Sequence, residues 1–434
     1  MIPRSLNLNL RGLPQSATLV INRRSKELAA QGKEIFAFGL GQSPFPVPEP
    51  VVEALRRHAG EKDYLPVEGL PALREAVAAF HRRNDYSGVT ADGVLIGPGS
   101  KELMFLLQLA FYGDLLVPTP CWVSYGPQAR IVGRQVKLLT TSYEQRWRLS
   151  AARLAALCEQ DRGRPRLLVL NYPGNPDGDT YGDVELRAIA GVAREHGVIL
   201  LSDEIYGLTH HTAAHRSIAR YYPEGTIISG GLSKWCGAGG WRLGTFAFPA
   251  QLRWLQDAMA AVASESYTSV SAPIQHAAVT AFEMGPEIEE YLAHTRRVLG
   301  TLGTEIARRL RGAGMRVHTP TGAFYLWLDL SPMAQGLRAR GIIGSQDLCE
   351  RLLVETGVAI LPGTHFERSA DELCARLAYV DFDGARALDL SRQTPLDQSL
   401  PDDFLALAAS KTLRGLDRLC DWLNPASKVR RPKV

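Results

Sequence analysis

Cysteine is scarce in this chain. Six thiols are spread through 434 residues, at positions 121, 158, 236, 349, 374 and 420, and no Cys-x-x-Cys occurs. That spacing argues against a disulfide framework and against a zinc ribbon. Six separate reduced thiols suit a cytoplasmic protein. Long apolar runs are also missing. No stretch reaches the roughly 18 apolar residues that cross a bilayer, and the most apolar one, 103–111, is broken by Gln108 and reads as a buried core helix. The first ten residues hold no continuous apolar segment of the secretory type. Charge of one sign is not in excess, with 49 basic against 45 acidic side chains and a formal net charge of +4. Without a long Lys/Arg block, neither nucleic acid nor a membrane is an expected partner. The short basic tail Lys428-Val-Arg-Arg-Pro-Lys433 reads as a solvated end. No internal repeat and no low-complexity segment is found, and 40 Gly and 26 Pro without a period exclude a collagen-like chain.

What is present is a core-forming composition. Hydrophobic residues make up 45% and charged residues 22%, and the length allows two to four domains. A helical pattern at 19–31 precedes a short apolar strand at 35–38. The Pro-rich stretch Ser43-Pro-Phe-Pro-Val-Pro-Glu-Pro50 reads as an extended loop. Helical runs at 71–83 and 101–112 then alternate with short, almost continuously apolar strands at 93–96, 114–117, 166–170, 198–202, 226–229 and 243–248. Strands of that kind are buried on both faces, as in a parallel sheet covered by helices. The expected class is therefore α/β, with a large, mostly parallel sheet flanked by helices. Helical periodicity returns at 286–315, 345–357 and 401–423, with strands at 324–328, 358–361 and 375–380 between, which points to a second, smaller α+β unit.

In doubly wound sheets ligands sit beyond the carboxyl ends of the strands, so the residues after each strand carry the functional reading. After the strand at 93–96 comes Gly97-Pro-Gly-Ser-Lys101, which opens a helix. Glycines there let backbone N–H groups approach an anion such as a phosphate. After 166–170 comes Asn171-Tyr-Pro-Gly-Asn-Pro-Asp-Gly178, whose prolines and glycines hold the Asn175 amide in a set direction. After 198–202 comes Asp203-Glu-Ile-Tyr206, an acid that is costly at a buried strand end unless it meets a cation or a donor. After 226–229 comes Gly230-Gly-Leu-Ser-Lys234, followed by glycines and Gly240-Trp-Arg-Leu-Gly244. A lysine followed by an arginine suits a reactive amine beside an anion-binding fork. Each feature alone has an ordinary structural explanation; their order on successive strands is far more specific. His210, His211 and His215 do not form the His-Glu-x-x-His metal motif and read as loop or surface histidines, so no metal is expected. The aromatic strand Phe324-Tyr-Leu-Trp-Leu328 reads as core rather than ligand contact.

Taken together, these segments resemble the class I/II aminotransferases, the fold-type I enzymes that use pyridoxal 5'-phosphate. The likeness runs over nearly the whole chain, from Ser16-Ala-Thr18 through Phe38-Gly-Leu-Gly41, Tyr64-Leu-Pro-Val-Glu-Gly69, Pro120-Cys-Trp122, Asn175-Pro-Asp-Gly178, Asp203-Glu-Ile-Tyr206 and Ser233-Lys234 to Ala375-Arg-Leu-Ala-Tyr-Val380. Its opening segment resembles the bacterial aspartate-aminotransferase branch. The resemblance implies a large cofactor unit over 50–300 and a small unit built from 1–49 and 301–434. It implies that Lys234 holds the cofactor covalently and later shuttles a proton, that Asp203 pairs with the ring nitrogen, and that Asn175 and Tyr206 bond the ring's phenolic oxygen. Trp122 would stack on the ring, while Gly99, Ser100, Ser233 and Arg242 would hold the phosphate, with Lys101 beside them. Tyr64 would reach the phosphate of a neighbouring subunit in a homodimer whose active sites are shared, with help from 264–271. Arg376 would bind the substrate carboxylate, aided by Gly41, Asn175 and Trp122. The implied reaction is a ping-pong exchange of an amino group between an α-amino acid and a 2-oxo acid, with a dicarboxylic donor such as aspartate or glutamate if Lys101 and the 16–18 segment face the substrate's far end. The alternative is a lyase or decarboxylase acting on an amino acid with the same cofactor. Four features depart from the family pattern: Gly231 where many relatives have Ser or Thr, Asp177 in place of the usual Thr, Gly41-Gln-Ser-Pro-Phe45, and the glycine-rich loop 235–241.

Overall fold

The computed structural model describes residues 7–13, 17–84 and 88–424, apart from the side chains of residues 17 and 18. Ser16, most of the 16–18 segment's chemistry and the basic tail at 428–433 therefore lie outside the described residues.

The apolar strands assemble into one seven-stranded sheet. Its spatial order is Val94–Gly97, Gly244–Ala247, Thr226–Gly231, Ile199–Asp203, Arg166–Asn171, Asp114–Thr119, Val136–Thr140. Five of these strands pair in parallel, while Gly244–Ala247 runs antiparallel to both of its neighbours. The central strands are buried along almost their whole length, which is why they read as unbroken apolar runs rather than as alternation. The edge strand Val136–Thr140 escaped the sequence reading. It is half-exposed and carries Lys137 among its apolar residues, so neither a continuous nor an alternating pattern marks it.

Register decides what the sheet presents at its carboxyl edge. Asn171, Asp203 and Ser229 are direct Cα partners on three neighbouring strands. Gly244 is the partner of both Gly97 and Gly231. The acid, an amide and the glycine turns thus come side by side, although each lies at the end of a different sequence segment.

A three-stranded antiparallel sheet, ordered Leu361–Pro362, Cys374–Ala378, Tyr325–Asp329, forms the second layer system. The chain's early part forms a separate two-stranded sheet: Phe36–Ala37 pairs in parallel with Val358–Ala359. The 27-residue helix Pro286–Gly312 starts with Pro at its first position and Glu287 and Glu289 in its first turn, both favourable at a helix N-terminus. Two expectations need adjustment. The Pro-rich loop ends sooner than expected, because Glu49 and Pro50 open the helix Glu49–His58; proline is tolerated there since its missing N–H would have no partner anyway. The predicted helix at 401–423 is two helices, Phe404–Ala408 and Ser410–Leu423, broken at Ala409. Among the described residues, no helix is long and apolar enough to cross a membrane.

Candidate active site

A cavity of about 660 Å³ opens at the carboxyl edge of the large sheet, facing the small sheet. It gathers Gly41, Ser100, Lys101, Trp122, Asn175, Asp203, Tyr206, Ser233, Lys234, Arg242 and Arg376, drawn from seven separate segments of the sequence. Gly99 stands one residue outside the lining, as the cap of the helix Ser100–Ala110. Tyr64 is 90% exposed and does not line the cavity of its own chain.

Asp203 is buried at the end of its strand and accepts a hydrogen bond from Tyr125 Oη at 2.6 Å. Burial pushes its carboxyl up to about 6, against the pull of the Tyr125 hydroxyl. A cation placed beside it would restore its charge. The Asn171 amide donates to the Asp203 carbonyl at 2.9 Å, and Asn171 Oδ1 accepts from the Asn175 N–H at 2.7 Å. The strand-end pair thus fixes the loop that carries Asn175. Asp177 folds back within that loop, accepting from the Asp179 N–H at 3.1 Å over the bare face of Gly174.

Lys234 Nζ donates to the Gly41 carbonyl at 2.8 Å. Burial, reinforced by Arg376 and Arg242, lowers its ammonium to about 8. An amine titrating there is close to the range where one group can both give and take a proton. Arg376 is buried, and its fork is held from behind: Nη1 donates to Asn175 Oδ1 at 3.0 Å and Nη2 to the Gly39 carbonyl at 2.6 Å. Among the described residues, its Nε has no hydrogen-bond partner. Desolvation makes such a cation receptive to an anion.

The glycines form a cradle of the expected kind. A Cβ at Gly99 would meet Arg242 Nη2 at 2.1 Å, and one at Gly244 would meet the Ser100 backbone nitrogen at 2.1 Å. Arg242 itself sits at φ 56°, and its guanidinium donates to the Gly239 and Pro98 carbonyls. Gly231 has φ 149°, and a Cβ there would approach the Leu243 carbonyl at 2.7 Å. A serine or threonine at 231 has no room in this backbone. Lys101 is exposed along its stem, but its Nζ lies 5.2 Å from the Trp122 ring centroid and lines the cavity.

Several participants were missed from sequence. The strand 324–328 is core as expected, but Tyr325 also lines the cavity, because alternate residues of a strand face opposite sides. Tyr125, Asn171, Leu40, Gln42 and Ile205 also belong to the site or its immediate support. The histidines are in a loop as expected; His210 is buried, while His211 and His215 are half-buried. His215 Nε2 pairs with Glu204 at 2.8 Å, and His211 Nε2 lies 3.2 Å from the Ala323 carbonyl.

These residues fit pyridoxal phosphate: a cradle for a phosphate, a buried acid lining the cavity that could pair with a ring nitrogen, a buried lysine of lowered basicity and a desolvated arginine for a carboxylate. Comparison with known proteins agrees. The family model for aminotransferase class I and II matches residues 33–381. The aspartate/prephenate aminotransferase of Thermus thermophilus is 34% identical over 369 residues, which is 84% of this chain and 92% of that protein. The aspartate aminotransferase of Bacillus sp. (strain YM-2) is 31% identical, over 82% of this chain and 90% of that one. The solved structure of Thermus thermophilus aspartate aminotransferase with maleate superposes with a TM-score of 0.81 at 30% identity, covering 96% of this chain and 99% of that chain.

The chain belongs to the aminotransferase class I and II family. It is a pyridoxal-phosphate-dependent transaminase that moves an amino group between an amino acid and a 2-oxo acid.

Proposed function

We propose that the donor is a dicarboxylic amino acid, aspartate or glutamate, read by two cations in one cavity. The observation that carries this is the placement of Lys101 Nζ in the same cavity as the Arg376 fork. One carboxylate would engage Arg376, the other Lys101, each as a charge-assisted contact. The relatives named for aspartate support this reading.

The cofactor supplies an electron sink for the carbon that loses its proton. The protein supplies the rest. Arg376, held by Asn175 and Gly39, orients the α-carboxylate. Lys234 Nζ would be the group that takes up and returns the α-proton, and its lowered basicity suits both directions of transfer. Asp203 would keep the ring nitrogen protonated, while Asn175 and Tyr206 would bond the ring oxygen and Trp122 would cover the ring face. Ser233, Arg242, Ser100 and the Gly99 backbone would hold the phosphate.

This reading divides the chain into a cofactor unit, 50–300, and a small unit from 1–49 and 301–434. The seven-stranded sheet lies wholly in the first and the three-stranded sheet wholly in the second. It also makes the protein a homodimer with shared sites, in which the exposed Tyr64 reaches the partner's phosphate. Six cysteines outside any disulfide suit work in the cytoplasm. The test is a spectral screen of the purified, cofactor-loaded protein against single amino acids. Aspartate and glutamate should bleach the bound cofactor's visible absorbance at the lowest concentrations; a neutral amino acid doing so first would overturn the donor assignment.

A further inference from the structure

Tyr206 and Tyr325 are both buried, 2% and 1% exposed, and their hydroxyl oxygens lie 2.8 Å apart. Their rings meet edge to face, with centroids 5.5 Å apart at 83°. Tyr325 is placed by its strand, where it is the Cα partner of Ala378, two positions from the Trp327–Arg376 pair. The Arg376 guanidinium lies 4.7 Å from its ring centroid. On its other side it needs the bare backbone of Gly41, since a Cβ there would fall 2.0 Å from the Tyr325 hydroxyl. The Gly41 carbonyl in turn accepts from Lys234. Tyr325 therefore stands between the carboxylate-binding arginine and Tyr206, in contact with the backbone that holds the lysine.

A phenol has one proton to donate and two lone pairs. Burial holds both phenols protonated, Tyr206 well above its ordinary range and Tyr325 raised as well. Among the described residues, the Tyr325 hydroxyl has a single hydrogen-bond partner, Tyr206. If Tyr206 spent its proton on Tyr325, the proton left for the cavity that both residues line would be that of Tyr325, and the Tyr206 oxygen could only accept. The opposite polarity leaves the Tyr206 proton free.

We propose that Tyr325 is a positioning residue: it donates to the Tyr206 oxygen and so aims the Tyr206 proton at the ring oxygen of the bound cofactor. This rests on the reading of Tyr206 given above. The same contact links that proton to Arg376, so that carboxylate binding and ring polarisation share one strand residue.

The test is a double-mutant cycle on the cofactor-loaded protein, Tyr206→Phe, Tyr325→Phe and both together, read by the pH midpoint of the bound cofactor's absorbance without substrate and by the cofactor's dissociation constant. A donor to the ring oxygen lowers that midpoint, so Tyr206→Phe should raise it by about one pH unit. Tyr325→Phe should raise it in the same direction by a smaller amount, and the double variant should match Tyr206→Phe alone, because one residue acts through the other. Gly41→Ala, which leaves both hydroxyls but pushes Tyr325 aside, should shift the midpoint as Tyr325→Phe does. An unmoved midpoint in Tyr325→Phe while Tyr206→Phe shifts, or shifts that add in the double variant, would overturn the inference alone. An unmoved midpoint in Tyr206→Phe would overturn the reading of Tyr206 and the inference with it.

Discussion

Arg376 donates from Nη1 to the side-chain oxygen of Asn175 at 3.0 Å, a contact between residues 201 positions apart in the chain. It joins the small sheet to the loop after a large-sheet strand. The fork that would receive a substrate is thereby held by a residue of the cofactor unit, so orientation of substrate and orientation of the ring depend on one another.

Arg376→Lys keeps the charge and loses the fork. A lysine cannot reproduce two parallel donors. The loss of hydrogen bonding to a charged group is worth about 1.5–3 kcal/mol, so kcat/KM should fall by about ten- to a hundredfold, seen in steady-state kinetics with any donor. Asn175→Ala should lower it too, by freeing the guanidinium it now holds.

Lys234 should titrate near pH 8 in the cofactor-free protein. Only the neutral amine reacts with acylating reagents, so the modified fraction of Lys234, followed by peptide mapping, should rise through pH 8. A surface lysine would wait until pH 10 or above. Lys234→Ala should abolish transamination while the protein remains folded by circular dichroism.

Asp203→Ala would remove the proposed partner of the cofactor's protonated ring nitrogen. Breaking such a pair costs about 3–5 kcal/mol, so turnover should drop by two orders of magnitude or more. Tyr125→Phe is a milder probe: it deletes a donor that pulls the Asp203 carboxyl down. The acid limb of the kcat/KM profile should move to higher pH in that variant, since Asp203 then takes up its proton earlier.

Lys101→Ala should raise KM for aspartate and glutamate and leave a neutral donor unaffected. Equal changes for both would show that Lys101 serves the phosphate or the surface instead.

Tyr64→Phe tests the proposed homodimer with shared sites. Cofactor retention in gel filtration should weaken, although Tyr64 is exposed and touches nothing in its own chain's cavity.

Sequence by itself determined the α/β class and most of the chemistry, because both are written locally. Continuous apolar runs mark strands buried on two faces, and the residues after those strands, Gly97 to Lys101, Asn171 to Gly178, Asp203 to Tyr206 and Ser233 to Arg242, carry the functional groups in unbroken motifs. The edge strand Val136–Thr140 left no such mark, since one half-exposed strand needs no uniform pattern. The tertiary structure alone decided the rest. Tyr125 reaches Asp203 across 78 positions and Tyr325 reaches Tyr206 across 119, and neither has a motif to announce it. Sheet register set Asn171, Asp203 and Ser229 side by side, and strand pairing put Tyr325 at the edge of the core, where it lines the cavity. Those placements follow from hydrogen-bonded neighbours on other strands, and a pattern read along one strand holds no information about its neighbours.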